Sequence, residues 1–144
     1  MCGYCGCRDI APIGRLMAEH EQLTTLAGDL SRARDTGAQS VVDRALDHLV
    51  GTLHPHAHDE EHGIFSLLRR NPDFTAHVDR LCSEHSALDA LVASVRAGDL
   101  GVVDELVDLL RTHMDKEDNG LFPAAAIELD GPDWEEVEAA GTRR

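Results

Sequence analysis

Residues 56–65 read "HAHDEEHGIF", and residues 113–122 read "HMDKEDNGLF". Both stretches have a glutamate four residues after the first histidine and an acid directly after that glutamate, then a glycine seven residues and a phenylalanine nine residues after the histidine. Upstream, "EHEQLTTL" at 19–26 and "EHSALDAL" at 84–91 share Glu-His with leucines three and six residues after the histidine. The chain is therefore an internal repeat, in which a segment with one histidine precedes a segment with His-x-x-x-Glu.

The apolar residues around these motifs recur with helical spacing. They predict helices over about residues 12–34, 40–70, 72–97 and 102–118, and no strand pattern competes with them. Aromatic residues make up 3% of the 144-residue chain, so the core must consist largely of leucine, valine and alanine, which favours helices.

Short links between the four predicted helices favour antiparallel neighbours. We therefore predict an all-α protein, an up-down-up-down antiparallel four-helix bundle over residues 12–129. A Cys/Gly-rich arm over residues 1–11 precedes the bundle, and an acidic tail over 130–144, with one short helix around Trp134, follows it.

Helical geometry distinguishes among the four histidines within residues 54–62. Residues four apart lie about 40° apart around a helix axis, so His56 and Glu60 point the same way, along the apolar stripe. His54, His58 and His62 point roughly 160–240° away, toward water, by the same arithmetic. They also have no counterparts in the second half of the repeat.

The repeat selects six residues on core-facing stripes: His20, His56, Glu60, His85, His113 and Glu117. A lone core-facing histidine is more often a hydrogen-bonded core residue than a ligand, but two matched His-x-x-x-Glu pairs argue for a metal. Ionisable groups in an apolar core are costly unless something pairs with them. Imidazole and carboxylate together suit iron, with manganese or zinc as competitors. Two glutamates can bridge two ions, which predicts a dinuclear site with two histidines for each metal.

This pattern, with "IF" and "LF" after the acidic pairs, resembles the hemerythrin-like (HHE cation-binding) family over about residues 12–127. The resemblance implies a four-helix bundle around a di-iron centre with a bridging oxo or hydroxo group, held by the six residues. Oxygen carriers of the family use a fifth histidine four residues before the third-helix ligand, where this chain has Leu81. They also end in His-x-x-x-x-Asp; Asp118 has that spacing, but the repeat favours Glu117.

The six-ligand pattern is similar instead to a subgroup that includes iron-centre repair proteins and other bacterial proteins handling nitric oxide or peroxide. Two histidines, two carboxylate oxygens and the bridging oxygen would leave one vacant position on each octahedral iron. Two adjacent vacancies suit reaction with peroxide, nitric oxide or dioxygen, whereas a carrier needs only one. The alternative function is a non-catalytic oxygen- or iron-binding sensor, carrier or store. The sequence identifies no electron donor.

Composition narrows the range of partners and locations. The net charge of −14 disfavours nucleic acid and anionic membranes as partners. No apolar run reaches transmembrane length, and the N-terminus lacks a basic-then-apolar signal pattern, so we expect a cytoplasmic protein. Three of the four cysteines lie within six residues, which is not a disulfide framework and fits a reducing compartment.

For several other residues, a functional and a non-functional interpretation are both open. The functional interpretations of the arm cysteines Cys2, Cys5 and Cys7 are a redox dithiol, an additional metal site or an electron-entry point. Otherwise these cysteines have no specific role. Tyr4 is a candidate extra ligand if the arm folds over the bundle end, and a surface-packing residue otherwise. Cys82 either borders the metal site or is a buried small hydrophobic residue. Glu19 and Glu84 either orient imidazoles or are solvated.

Overall fold

The computed structural model describes residues 6–141, which contain helices and no strand. The four long helices are α1 (Ala11–Asp35), α2 (Gln39–His62), α4 (Pro72–Arg96) and α5 (Val103–Lys116). The shorter elements are α3 (Ile64–Leu68), α6 (Phe122–Glu128), α7 (Gly131–Gly141), two 3-10 turns at Cys7–Asp9 and Leu100–Val102, and a π-helical turn at Glu117–Leu121. The predicted all-α class is confirmed for the described residues.

Local signals account for the ends of the long helices. Pro12 lies in the first turn of α1, where its missing N–H costs nothing. The side chain of Asn71 caps α4 by accepting a hydrogen bond from the backbone N–H of Asp73 at 3.0 Å. Gly37 and Gly98 follow α1 and α4 with φ of 70° and 106°, a backbone conformation that side chains disfavour.

The long helices enclose two apolar clusters with a polar layer between them. Helix α1 packs against α2 and α5, and α4 packs against α5 and α2. One cluster consists mainly of aliphatic residues such as Leu30, Leu46 and Val95, and the other includes Phe65 and Phe122. Along α1 and α4, and along α2 and α5 continued into the elements that follow them, the candidate metal ligands fall between residues of the two clusters. Apolar packing therefore supports the polar layer from both sides.

The prediction of one continuous helix over residues 40–70 is wrong, because this segment is divided at Gly63 into α2 and α3. A Cβ atom at Gly63 would lie 2.8 Å from the carbonyl oxygen of Asp59 and 3.3 Å from Cγ1 of Val137 on α7. The absent side chain therefore allows the helix to break and α7 to pack against the break.

The fourth predicted helix does not end at Asp118, because the π-helical turn carries it into α6. Gly120 in this turn occupies the same repeat position as Gly63. The two halves thus shift their helical register at the same point in different ways, one by a break and one by a π turn. Both phenylalanines that follow, Phe65 and Phe122, are fully buried.

The described parts of the predicted arm and tail pack onto the bundle. Cys7 is buried in the cluster that contains Phe65, whereas Cys2, Tyr4 and Cys5 lie outside the described residues. Helix α7 covers the short helix expected around Trp134 and packs against α1, α2 and α3. Within residues 6–141, no helix combines the length and apolarity needed to cross a membrane.

Candidate metal centre

The structure brings together the six residues that the repeat selects. His20 lies on α1, His56 and Glu60 on α2, His85 on α4, His113 on α5, and Glu117 at the start of the π turn. The four histidines are 2–6% exposed, and both glutamates are completely buried. All six side chains are therefore withdrawn from water in the polar layer between the clusters.

These residues form two overlapping groups. His20, His56, Glu60 and Glu117 each offer a ligand atom, and these atoms lie within 4.8 Å of one another. His85 and His113 form a second group with the same two glutamates and the same limit on distance. Because both glutamates belong to both groups, their carboxylates lie between two pairs of imidazoles.

The inner nitrogen atoms of each imidazole pair face one another. The Nε2 atoms of His20 and His56 are 3.1 Å apart, and those of His85 and His113 are also 3.1 Å apart. A hydrogen bond between two such atoms requires one of them to carry a proton. A neutral imidazole carries one proton, either on Nε2 or on the outer nitrogen, Nδ1. The partner of Nδ1 therefore decides whether Nε2 carries a proton or a lone pair.

Each outer nitrogen donates a hydrogen bond to a carboxylate from another helix. Nδ1 of His56 donates to Glu19 at 2.8 Å, and Nδ1 of His113 donates to Glu84 at 2.8 Å. A carboxylate only accepts hydrogen bonds, so the proton of a neutral imidazole resides on Nδ1. The Nε2 atom then presents its lone pair to the interior of the site.

The other two imidazoles follow the same rule. Nδ1 of His20 donates to Asp118 at 2.8 Å, and Nδ1 of His85 donates to Glu61 at 2.7 Å. In neutral form, all four histidines would therefore aim Nε2 lone pairs inward. Lone pairs at 3.1 Å repel each other unless a cation lies between them, which is the arrangement expected of metal ligands.

Three buried carboxylate oxygens accept no hydrogen bond: Oε2 of Glu60 and both side-chain oxygens of Glu117. Oε1 of Glu117 lies 3.1 Å from Nε2 of His20, and Oε2 of Glu60 lies 3.4 Å from Nε2 of His56. Although both nitrogen–oxygen distances are short, the angles at these atoms are not those of a hydrogen bond. Buried charged oxygens without partners are strongly unfavourable, and bound cations would satisfy them.

The electrostatics of the site favour positive charge. Burial lowers the pKa of His20, but the hydrogen bond to Asp118 and the carboxylate of Glu117, 3.1 Å from Nε2, outweigh it and raise the pKa to about 9. Burial also lowers the pKa of His113, yet the negative charge of the adjacent Glu117 raises it to about 9. Burial raises the pKa of Glu60, but the charge of His56 and hydrogen bonds hold it well below its usual range. Protons or metal ions are thus drawn to the same atoms.

Apolar rings cover two of the imidazoles. Phe65 stacks on His85 with ring centroids 5.9 Å apart and planes 13° apart. Phe122 stacks on His20 at 5.8 Å and 16°. Leu81, four residues before His85 on α4, is fully buried in the same apolar cluster as these phenylalanines. The two phenylalanine rings and Leu81 therefore make the side of the polar layer that faces this cluster apolar.

Lysine occurs once in the chain, and it breaks the symmetry between the halves. Lys116 donates a hydrogen bond to Glu84, and the equivalent residue in the first half is Asp59. Burial raises the pKa of Glu84, but the bonds from Lys116 and His113 hold it below its usual value. Glu84 is therefore kept as an anion opposite the His113 ring.

The sequence did not assign partners to the outer nitrogens of His20 and His85. Glu61 and Asp118 fill these roles, and the acid after each repeat glutamate was the available signal. The structure places Glu117 in both ligand groups and Asp118 on the outer side of His20, in line with the choice made from the repeat. Of the two interpretations of Glu19 and Glu84, imidazole orientation fits the structure.

Cys82 does not have the buried position that one interpretation gave it. Its side chain is partly exposed at the edge of the cluster that contains Phe65, and Sγ accepts a hydrogen bond from Nη2 of Arg69 at 3.5 Å. Burial, although incomplete, raises the pKa of the Cys82 thiol. Tyr4, the candidate extra ligand, lies outside the described residues.

Comparison with known proteins gives one match. The family model of the hemerythrin HHE cation binding domain matches residues 11–125. This span contains both ligand groups and the four carboxylates that hold the outer nitrogens. No curated protein and no solved structure matches significantly.

Proposed function

Because the chain belongs to the hemerythrin HHE cation-binding family, we propose that it is an up-down-up-down four-helix bundle that holds two iron ions. His20 and His56 would bind one ion, and His85 and His113 the other. Glu60 and Glu117 would bridge them, together with an oxo or hydroxo group. The observation that carries this proposal is that both glutamates belong to both ligand groups.

The chemistry of the donor atoms fits this assignment. Four imidazole nitrogens and four carboxylate oxygens suit iron, and manganese and zinc compete for the same donors. Two bound ions would relieve the repulsion between the facing Nε2 lone pairs. They would also satisfy the unpaired oxygens of Glu60 and Glu117. The four hydrogen bonds at Nδ1 would fix the ring orientations and increase the basicity of the ligands.

We propose that the protein reacts with small oxidants such as peroxide, nitric oxide or dioxygen. Bound in reduced form, a di-iron centre would supply the electrons and the open coordination positions that such reactions need. The chain contributes an enclosed site, since Phe65 and Phe122 cover the imidazoles and Leu81 supplies no fifth imidazole. Such reactions also need an electron donor, and the sequence identifies none. The proposal includes a cytoplasmic location, where a free cysteine such as Cys82 stays reduced.

The test begins with the iron content and near-ultraviolet absorption of the purified protein. Stopped-flow mixing of the reduced, iron-loaded protein with peroxide and with nitric oxide then follows. We expect two irons per chain and consumption of at least one oxidant, and metal-free protein is the control. Protein that holds iron, consumes neither compound and releases dioxygen intact would be a carrier or sensor. Protein that holds iron and binds neither dioxygen nor nitric oxide would be a store.

A further inference from the structure

A cleft of about 230 Å³ between α2 and α4 reaches the edge of the centre. His54, His58 and His62 line it from α2, and Asp89 lines it from α4. These three exposed histidines are those that the repeat leaves without counterparts. Glu61 and the ring of His85 also line the cleft, so it leads from the surface histidines to one imidazole of the centre.

The centre is most open to solvent at this cleft. The side chain of Glu61, which holds Nδ1 of His85, is 39% exposed. The three corresponding carboxylates, those of Glu19, Asp118 and Glu84, are only 13–19% exposed. His85 is also the most exposed of the four inner histidines, at 6%. An ion entering from solvent would meet the least protein at Glu61 and His85.

His58 and His62 are arranged as a pair at the surface. Their rings stack with centroids 4.0 Å apart and planes 25° apart. Nδ1 of His62 donates to the backbone oxygen of His58 at 2.9 Å, which leaves the Nε2 lone pair of His62 free in the neutral ring. Two bonds of about 2.0–2.1 Å at a tetrahedral angle need nitrogens about 3.4 Å apart, so the two rings would rotate out of the stack and converge on the ion.

We propose that His58 and His62 capture a divalent transition-metal ion, which then enters the centre past Glu61 and His85. Two imidazoles select transition metals over calcium and magnesium, which prefer oxygen ligands. With two protein ligands the ion is held weakly, as a transfer step requires. The capture stands on the surface residues alone, whereas the loading step rests on the proposed di-iron function.

A second cleft, of about 180 Å³, reaches the centre at His20. It is lined by the carboxylates of Glu21, Asp115 and Asp118 and by the guanidinium of Arg111, and His20 is its one histidine. It therefore has no imidazole pair outside the centre to select a transition metal over calcium or magnesium. The cleft at His85 is the better route for the metal.

Capture can be measured at equilibrium with Co²⁺, whose visible absorption changes on binding. The test variant is His58→Asn/His62→Asn, and the control is His48→Asn/His77→Asn, which removes two histidines away from the cleft, one on α2 and one on α4. Wild type and control should each bind one additional Co²⁺ per chain, with low affinity, that the test variant does not bind. Equal stoichiometry in all three proteins would overturn the capture. Circular dichroism would verify that the surface substitutions leave the fold intact.

Loading can be followed by anaerobic stopped-flow mixing of metal-free protein with Co²⁺ and with Fe²⁺. The test variant should fill the centre at least about tenfold more slowly, since it lacks the captured ion that stands beside the entrance at a high effective concentration. The final metal content of the centre should stay the same. An unchanged rate, equal slowing in the control, or a lower final content would overturn the loading step. A wild-type centre that never fills would overturn the proposed function, while the equilibrium experiment still decides the capture.

Discussion

Glu84 accepts a hydrogen bond at 2.8 Å from His113 on α5, although His85 is its neighbour in the chain. Glu19 does the same for His56 on α2, rather than for His20. Each glutamate therefore orients an imidazole on a different helix from its own. The outer hydrogen bonds join the helices around the centre, and they couple the geometry of the ligands to the packing of the bundle.

Replacing Glu84 by glutamine should weaken iron binding. The Glu84→Gln variant keeps the shape of the side chain but removes the negative charge that holds the His113 ring. Loss of such outer partners lowers metal affinity by about 10–100-fold. Competition with a coloured iron chelator measures the change. Glu105→Gln, an exposed glutamate on α5, is the matched control. Equal affinities of the two variants would show that Glu84 does not tune the centre.

The inner and surface histidines of α2 should behave in opposite ways. His56→Ala, and likewise His113→Ala, should lose iron from the centre and lower stability, because the remaining ligands become unpaired polar groups in the core. His58→Ala and His62→Ala should retain the iron of the centre at equilibrium. Iron per chain after desalting is the measurement. If His58→Ala lost iron as readily as His56→Ala, the assignment of the inner ligands would be wrong.

Removing the metal should destabilise the whole bundle. Without cations, Glu60 and Glu117 keep unpaired buried oxygens, and four imidazoles crowd around them. A ligand that binds only the folded state at a hundred times its dissociation constant stabilises a protein by about 2.7 kcal/mol. For a chain of this size, we expect iron to raise the melting temperature by at least about 5 °C. Calorimetry before and after chelation measures the shift, and coincident melting curves would contradict a buried metal site.

The two repeat glycines should differ when replaced by alanine. At Gly63, a Cβ would lie 2.8 Å from the carbonyl oxygen of Asp59, so Gly63→Ala should lower the free energy of unfolding by about 1–3 kcal/mol. At Gly120, a Cβ would meet no atom within 4 Å, so Gly120→Ala should be neutral or stabilising by up to about 1 kcal/mol. Urea unfolding compares the two variants. Similar losses in both would mean that the contact at Gly63 is not what requires glycine.

The inner residues could be predicted because the repeat and the helical period act on the same positions. His56 and Glu60 share a face by spacing alone, and His113 and Glu117 repeat that spacing. These four residues are buried in the structure and His58 is exposed, as helical spacing predicts. Helical spacing was sufficient here because the residues compared in each case lie on the same helix or its direct continuation.

Relationships between helices could not be predicted in the same way. Which imidazole Glu61 or Asp118 contacts depends on which helices are neighbours and on their relative height, and periodicity contains neither. The division at Gly63 was missed because apolar spacing continues through it, while its cause is the approach of α7, far along the chain. The π turn was missed because such turns have no apolar period of their own.

The reactivity of the centre should depend on Leu81. This residue is fully buried one helical turn before His85, at the position where oxygen carriers of the family have a fifth histidine. Leu81→His should therefore supply another imidazole to the nearby iron, slow the consumption of peroxide or nitric oxide, and favour reversible binding of dioxygen. Stopped-flow rates and oxygen-dependent absorption measure both effects. Val78→His is the control, because it places an imidazole in the same apolar cluster one turn farther away. If Leu81→His kept its iron and reacted at the wild-type rate, a missing fifth ligand would not explain the reactivity.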